Sequence, residues 1–184
     1  MVSIAIMIIV TSLILANYRG FDSSLVVNSL AYDVGLSIRE AQTYGVSVRG
    51  NGSTDLQDYS YPYGISFSGI PASSYTLFVD LSKDDPTEEA GVFDGSAGET
   101  VENLSLQQSY IIKDICTVSG SVPSCGKLRA DITFLRPNPD AIIYVDGTKL
   151  TADAVIIQVG TNRDTTSNRY VYVYPTGQIS IKTK

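Results

Sequence analysis

The chain has 184 residues, 13 basic against 19 acidic side chains, a formal charge of −6, and neither His nor Trp. Without His the common zinc sites, Ser-His-Asp triads and Cys-His dyads are unavailable, and no two carboxylates are spaced to stand out as an acid and a base, so the composition argues against an enzyme. Net negative charge and the lack of any Lys/Arg cluster argue equally against a nucleic-acid surface, which needs concentrated cations to neutralise phosphates.

The first element, Met1 to Ala16, reads MVSIAIMIIVTSLILA, and the uncharged run continues to Tyr18 before Arg19 breaks it. Eighteen helical residues rise roughly 27 Å, close to the hydrocarbon thickness of a bilayer. Ile, Leu, Val and Met fall on every side of such a helix, so it presents no water-facing side. A cleaved signal peptide fits poorly, because no Lys or Arg precedes the run and no small-x-small pattern lies near Leu13 to Ala16. The expectation is a retained apolar helix over 1–19. With 43% hydrophobic residues the remainder suffices for one globular domain with its own core.

Asn17 to Asp22 softens the helix, since Asn and Gly20 are poor helix formers and Asp22, Ser23 and Ser24 are capping residues. From Leu25 onward Val27, Ala31, Val34, Ile38 and Ala41 recur at intervals of three and four, while Asn28, Asp33, Ser37, Arg39, Glu40 and Gln42 take most other positions. This predicts an amphipathic helix over 20–48, with Gly45 as its stop signal. The stretch from Arg49 to Asp55 is rich in turn residues, and after it the period changes.

Tyr63 to Phe67, Tyr75 to Asp80, Leu128 to Phe134, Ala141 to Val145, Ala154 to Val159 and Tyr170 to Tyr174 are short runs rich in β-branched and aromatic residues, so 49–184 is expected to be a β-rich head. In Tyr170-Val-Tyr-Val-Tyr174 the tyrosines share one face and the valines the other. Pro175-Thr-Gly177 then turns the chain into Gln178 to Lys182, a C-terminal hairpin.

Two further features carry chemistry. Cys116 and Cys125, with Gly120 and Pro123 between them, suit a short disulfide-closed loop in an oxidising compartment; two buried free thiols are the alternative. Between Asp80 and Glu102, eight carboxylates (Asp80, Asp84, Asp85, Glu88, Glu89, Asp94, Glu99 and Glu102) share one cation, Lys83. Asp80, Asp84, Asp94 and Glu99 are therefore candidate ligands for Ca2+, the only cofactor the sequence suggests, although Ser82 and Pro86 depart from the usual calcium-loop spacing and a solvated acidic loop accounts for the same residues.

The expected fold is α+β, a long N-terminal helix packed on an antiparallel β-sheet head. Met1 to Val10 resembles the hydrophobic block that follows the cleavage motif of type IV pilins and type II secretion pseudopilins, and Leu30 to Val46 is similar to the helix of the H-class minor pseudopilins. The Gly-Phe-Thr-Leu-x-Glu type motif of that family is absent here and is expected upstream of Met1, so no assembly glutamate is assigned. The resemblance implies a pilin-like fold and a minor structural subunit of a pilus or pseudopilus. Its helix would sit in the membrane before assembly and pack afterwards against copies of itself or other pilins, with the head facing outward in an extracellular or periplasmic filament. The alternative is a single-span membrane-anchored binding or adhesion domain that does not polymerise.

Overall fold

The computed structural model describes residues 2–47, 61–81, 90–107, 109–162 and 167–183, and within the helix it describes the side chains of 2–14 and 24–46. The expected turn at Arg49 to Asp55 lies outside these residues. The chain opens with helix α1 (Val2–Val46). Two antiparallel sheets follow.

The first sheet is built from β1 (Tyr63–Ser68), β2 (Ser74–Val79), β3 (Thr100–Ser105), β6 (Arg129–Phe134), β7 (Ala141–Val145) and β8 (Thr148–Lys149), in the order β3-β2-β1-β6-β7-β8. The second contains β4 (Tyr110–Ser119), β5 (Val122–Lys127), β9 (Ala154–Thr161), β10 (Arg169–Val173) and β11 (Ile179–Lys182), in the order β11-β10-β9-β4-β5. Ala72 and Ile112 exchange both backbone hydrogen bonds, at 3.1 and 2.8 Å, and so link the two sheets.

One buried cluster draws on the helix and both sheets. Leu30, Ala31, Val34, Ile38 and Ala41 supply the helical side. Ile65, Phe67, Leu77, Ile132 and Phe134 come from the first sheet, and Ile115, Val155, Ile157, Val171 and Val173 from the second. Period-2 alternation explains the contribution of β10: Val171 and Val173 are fully buried, and the tyrosines between them face away from the core.

The expected architecture requires correction. The described residues form a predominantly β structure of two antiparallel sheets, and no long helix lies packed on a single sheet. Among the described side chains of the helix, those of 24–46 pack on the sheets, because there apolar side chains recur on one stripe while polar ones occupy the rest, and those of 2–14 are exposed throughout. Among the described residues no helix is long and apolar enough to cross a membrane.

Gly45 also serves differently from expected. It lies inside α1, and a Cβ at that position would overlap the Phe134 carbonyl, so its role is close approach of helix and strand. The Gly45 carbonyl accepts the Arg136 N–H at 3.1 Å. One turn earlier the buried Gln42 amide donates to the carbonyls of Pro139 (2.9 Å) and Gly177 (3.2 Å), which pins the helix end to the turn of the C-terminal hairpin. Gly177 has φ 76° in that turn, and a side chain there would collide with the Pro139 carbonyl.

Candidate functional site

Three regions carry residues singled out in the sequence. In the first, residues 2–14, large apolar side chains are exposed on all sides of the helix, from 49% at Val10 to 75% at Val2. The polar interruptions are small. Thr11 donates its hydroxyl to the Met7 carbonyl at 2.7 Å, which satisfies it within the helix and makes it compatible with a dry contact. Ile4, Met7, Ile8, Thr11 and Ser12 line a shallow hollow of about 310 Å3, a recess left where Thr and Ser replace longer side chains.

In the second region, Asp80 and Glu99 are fully buried and Asp94 is exposed; Asp84 lies outside the described residues. Asp80 directly follows β2, and its Oδ2 accepts the Gly91 N–H at 2.5 Å. Glu99 accepts the N–H groups of Leu81 (3.4 Å) and Asp94 (3.3 Å), while Asp94 accepts the Ser96 N–H at 2.6 Å. Desolvation first, and the neighbouring Asp94 carboxylate second, push the Glu99 pKa up to about 7. Near neutrality Glu99 therefore holds a proton for part of the time.

The chain around these carboxylates is strapped to the first sheet. Thr133 donates its hydroxyl to the Gly91 carbonyl at 2.6 Å, and Phe93 packs on Phe78 with ring centroids 5.2 Å apart. Arg129 donates to the Phe93 carbonyl and pairs with the buried Asp131 at 2.8 Å. Burial raises the Asp131 pKa, against the Ser66 hydroxyl and the Arg129 guanidinium, which lower it. The sequence reading missed Arg129 because it sits some thirty residues downstream of the acidic run; only the register that places it at the start of β6 brings it to the loop.

The third region is the Cys116–Cys125 disulfide. It crosses a β-hairpin of β4 and β5, where a loop was expected, at an irregularity that falls between the pairs Ile115↔Lys127 and Thr117↔Ser124. Gly126, with φ 86°, supplies the extra residue of that bulge, and its N–H donates to Asp114 Oδ1 at 2.9 Å. Among the described residues the group whose donor atoms converge closely enough for a metal is Asp114, Cys116 and Cys125. Both sulfurs are consumed by the disulfide, so no thiolate is available as a ligand. Among the described residues Asp80, Asp94 and Glu99 do not form such a group, and Asp84, the fourth candidate calcium ligand, lies outside them.

No protein-family model matches the chain, and no curated protein or solved structure matches it significantly.

Proposed function

We propose that this chain is a minor structural subunit of a type IV pilus or type II secretion pseudopilus, held at the membrane by its N-terminal segment and then assembled through that segment with copies of itself or other pilins. The observation that carries the reading is the exposure of apolar side chains all round residues 2–14. A surface of this kind in water drives association, since each buried Leu or Ile side chain contributes about 1.5–3 kcal/mol. The segment has no charge that a dry interface would leave unpaired.

The similarity of Met1 to Val10 and of Leu30 to Val46 to the pilin helix selects a filament over other assemblies. A head held on a well-packed half of the same helix is then displayed outward, and its disulfide suits an extracellular or periplasmic setting. Negative-stain microscopy of shear fractions from cells producing the tagged full-length protein tests this. Filaments decorated by antibody against the head are expected. Labelled membrane patches without filaments would instead favour a membrane-anchored domain that does not polymerise.

A further inference from the structure

Strand β4 carries Asp114 and Cys116, its neighbour β5 carries Cys125, and a carboxylate oxygen and the two sulfurs lie within 4.8 Å of one another. Backbone pairing brings these groups together without help from the sulfur–sulfur bond. Ile115↔Lys127 lies on one side of the two cysteines, and Thr117↔Ser124, Val118↔Pro123 and Ser119↔Val122 lie on the other. On its far side β4 is paired with β9, which sets Asp114 opposite Gln158 and Cys116 opposite Ile156. Asp114 and Cys116, two residues apart, share the face of the strand turned away from the core, while Ile115 between them is fully buried within it. Cys116 is buried, Asp114 half-buried and Cys125 exposed, so the group opens to solvent on the Cys125 side.

The Asp114 carboxylate is held in place through one of its oxygens. Oδ1 accepts the N–H groups of Ile115 (2.8 Å) and Gly126 (2.9 Å), and among the described residues no hydrogen bond engages Oδ2. Bracing of this kind orients a carboxylate for a metal while leaving the second oxygen to ligate. The Cα atoms of Cys116 and Cys125 stand 3.9 Å apart. Rotation about the Cα–Cβ bonds can therefore spread two thiols to the roughly 3.8 Å that sulfurs take up on one Zn2+, given Zn–S bonds of about 2.3 Å. Two soft thiolates with one carboxylate suit Zn2+ rather than Ca2+ or Mg2+, and a water completes the four ligands.

We propose that Asp114, Cys116 and Cys125 form a redox-gated Zn2+ site: the dithiol state, through which the chain passes before its disulfide closes, binds one ion, and oxidation expels it. Binding releases the two thiol protons, and the ion rests on two thiolates, Asp114 Oδ2 and a water. It then ties the edge strand β5 to β4 as the disulfide does later. Expulsion uses a small-molecule disulfide as the oxidant. The exposed Cys125 thiolate attacks it and displaces one thiolate of the reagent; the Cys116 thiolate then attacks the mixed disulfide at the Cys125 sulfur and displaces the other. The Cys116–Cys125 bond has formed, the reagent has gained two electrons and taken two protons from solvent, and Zn2+ leaves because no thiolate remains to hold it. The site lies in the head and does not depend on how residues 2–14 assemble.

The test uses the full chain, reduced with a water-soluble phosphine, freed of it without oxygen, and titrated with Co2+ as a coloured stand-in for Zn2+. One Co2+ per chain is expected, with the thiolate-to-metal charge-transfer band and the visible spectrum of a tetrahedral site, and Zn2+ should displace it. The disulfide form should give neither signal. Asp114→Asn keeps the Oδ1 that holds Ile115 and Gly126 and replaces Oδ2 by an amide nitrogen. It should weaken Zn2+ binding about tenfold or more while both thiols remain titratable. Oxidised glutathione added to the Zn2+ form should release one ion for each disulfide formed. A reduced chain that binds no Co2+, an Asp114→Asn variant that binds as tightly as the wild type, or one ion shared between two chains overturns the proposal, since each leaves no three-ligand site within one hairpin. Equal binding by the disulfide form overturns it as well, because the sulfurs would then not be the gate.

Discussion

In residues 24–46 of α1 the apolar side chains at helical spacing meet strands: Val27, Ala31, Val34, Ile38 and Ala41 are fully buried against two sheets. In residues 2–14 of the same element, side chains of the same chemistry are exposed among the described residues. The difference lies in the pattern. A narrow stripe flanked by Asp33, Arg39 and Glu40 tells one face of the helix to be dry and the rest wet, which one globular head can satisfy. A helix apolar on every side can be satisfied only by being surrounded. The first pattern is therefore completed within the chain, and the second is the one that the proposed assembly would complete.

Substitutions on the two halves should separate stability from assembly. The largest effect is expected from Ile38→Ala, which opens a cavity in the shared core and should cost about 2–5 kcal/mol. Urea unfolding followed by tyrosine fluorescence would register it. Ile8→Ala, the same kind of truncation in the exposed half, should leave the unfolding midpoint of the head unchanged. An equal loss from both would erase the distinction.

Ile9→Asp reverses the contrast. It should leave the head's melting temperature intact and lower both membrane recovery and filament yield, because a charge in a dry apolar segment costs roughly 2.5–3.5 kcal/mol on insertion scales. Normal filaments from this variant would falsify the assembly role of 2–14.

Removing the disulfide by Cys116→Ser with Cys125→Ser touches neither half of the helix. For a closed loop of about ten residues the chain-entropy estimate is roughly 2.5–3 kcal/mol of lost stability. The melting temperature should fall, and association through 2–14 should persist.

The smallest effect concerns pH. The Glu99 pKa is raised from 4.5 in the free side chain to about 7 in the folded protein, so the folded state binds the extra proton between those values. Its contribution to stability is therefore fully present below about pH 4.5 and is lost as pH rises through 7. Glu99→Gln should flatten the stability profile across that window. A wild-type profile across pH 5 to 7 that Glu99→Gln leaves unchanged would show that Glu99 titrates as an ordinary surface carboxylate.

How much of this was legible follows from how local each signal is. Val27 to Ala41 declared a buried helical face through their spacing, and Tyr170 to Tyr174 declared a strand through strict alternation, because both periods are set by the backbone alone. Strands β3 and β5 gave no such signal. Thr100 to Ser105 is an exposed polar edge, and Val122 to Lys127 contains a Pro and a Gly that normally mark loops; each is a strand only because a neighbour pairs with it. In β4 the alternation of Tyr110 to Ser119 is broken by a register shift between Ile112 and Asp114.

The acidic segment misled for a related reason. Counting charges in a window found Lys83 as the single cation, whereas Arg129 reaches the loop through β-sheet register that no window spans. The buried roles of Asp80 and Glu99 as acceptors for backbone N–H groups are likewise invisible until the chain is folded.

The most direct measurement of what surrounds 2–14 is site-specific photo-crosslinking in cells producing the full chain, with a benzophenone side chain placed at Ile8 and, as control, at the exposed head residue Val122. The account predicts a ladder of covalent dimers and higher multimers from position 8, with linkages mapping to the 2–14 segment of a second copy or to the helix of another pilin, and monomers from position 122. Position 8 yielding only lipid adducts on monomeric protein would contradict it.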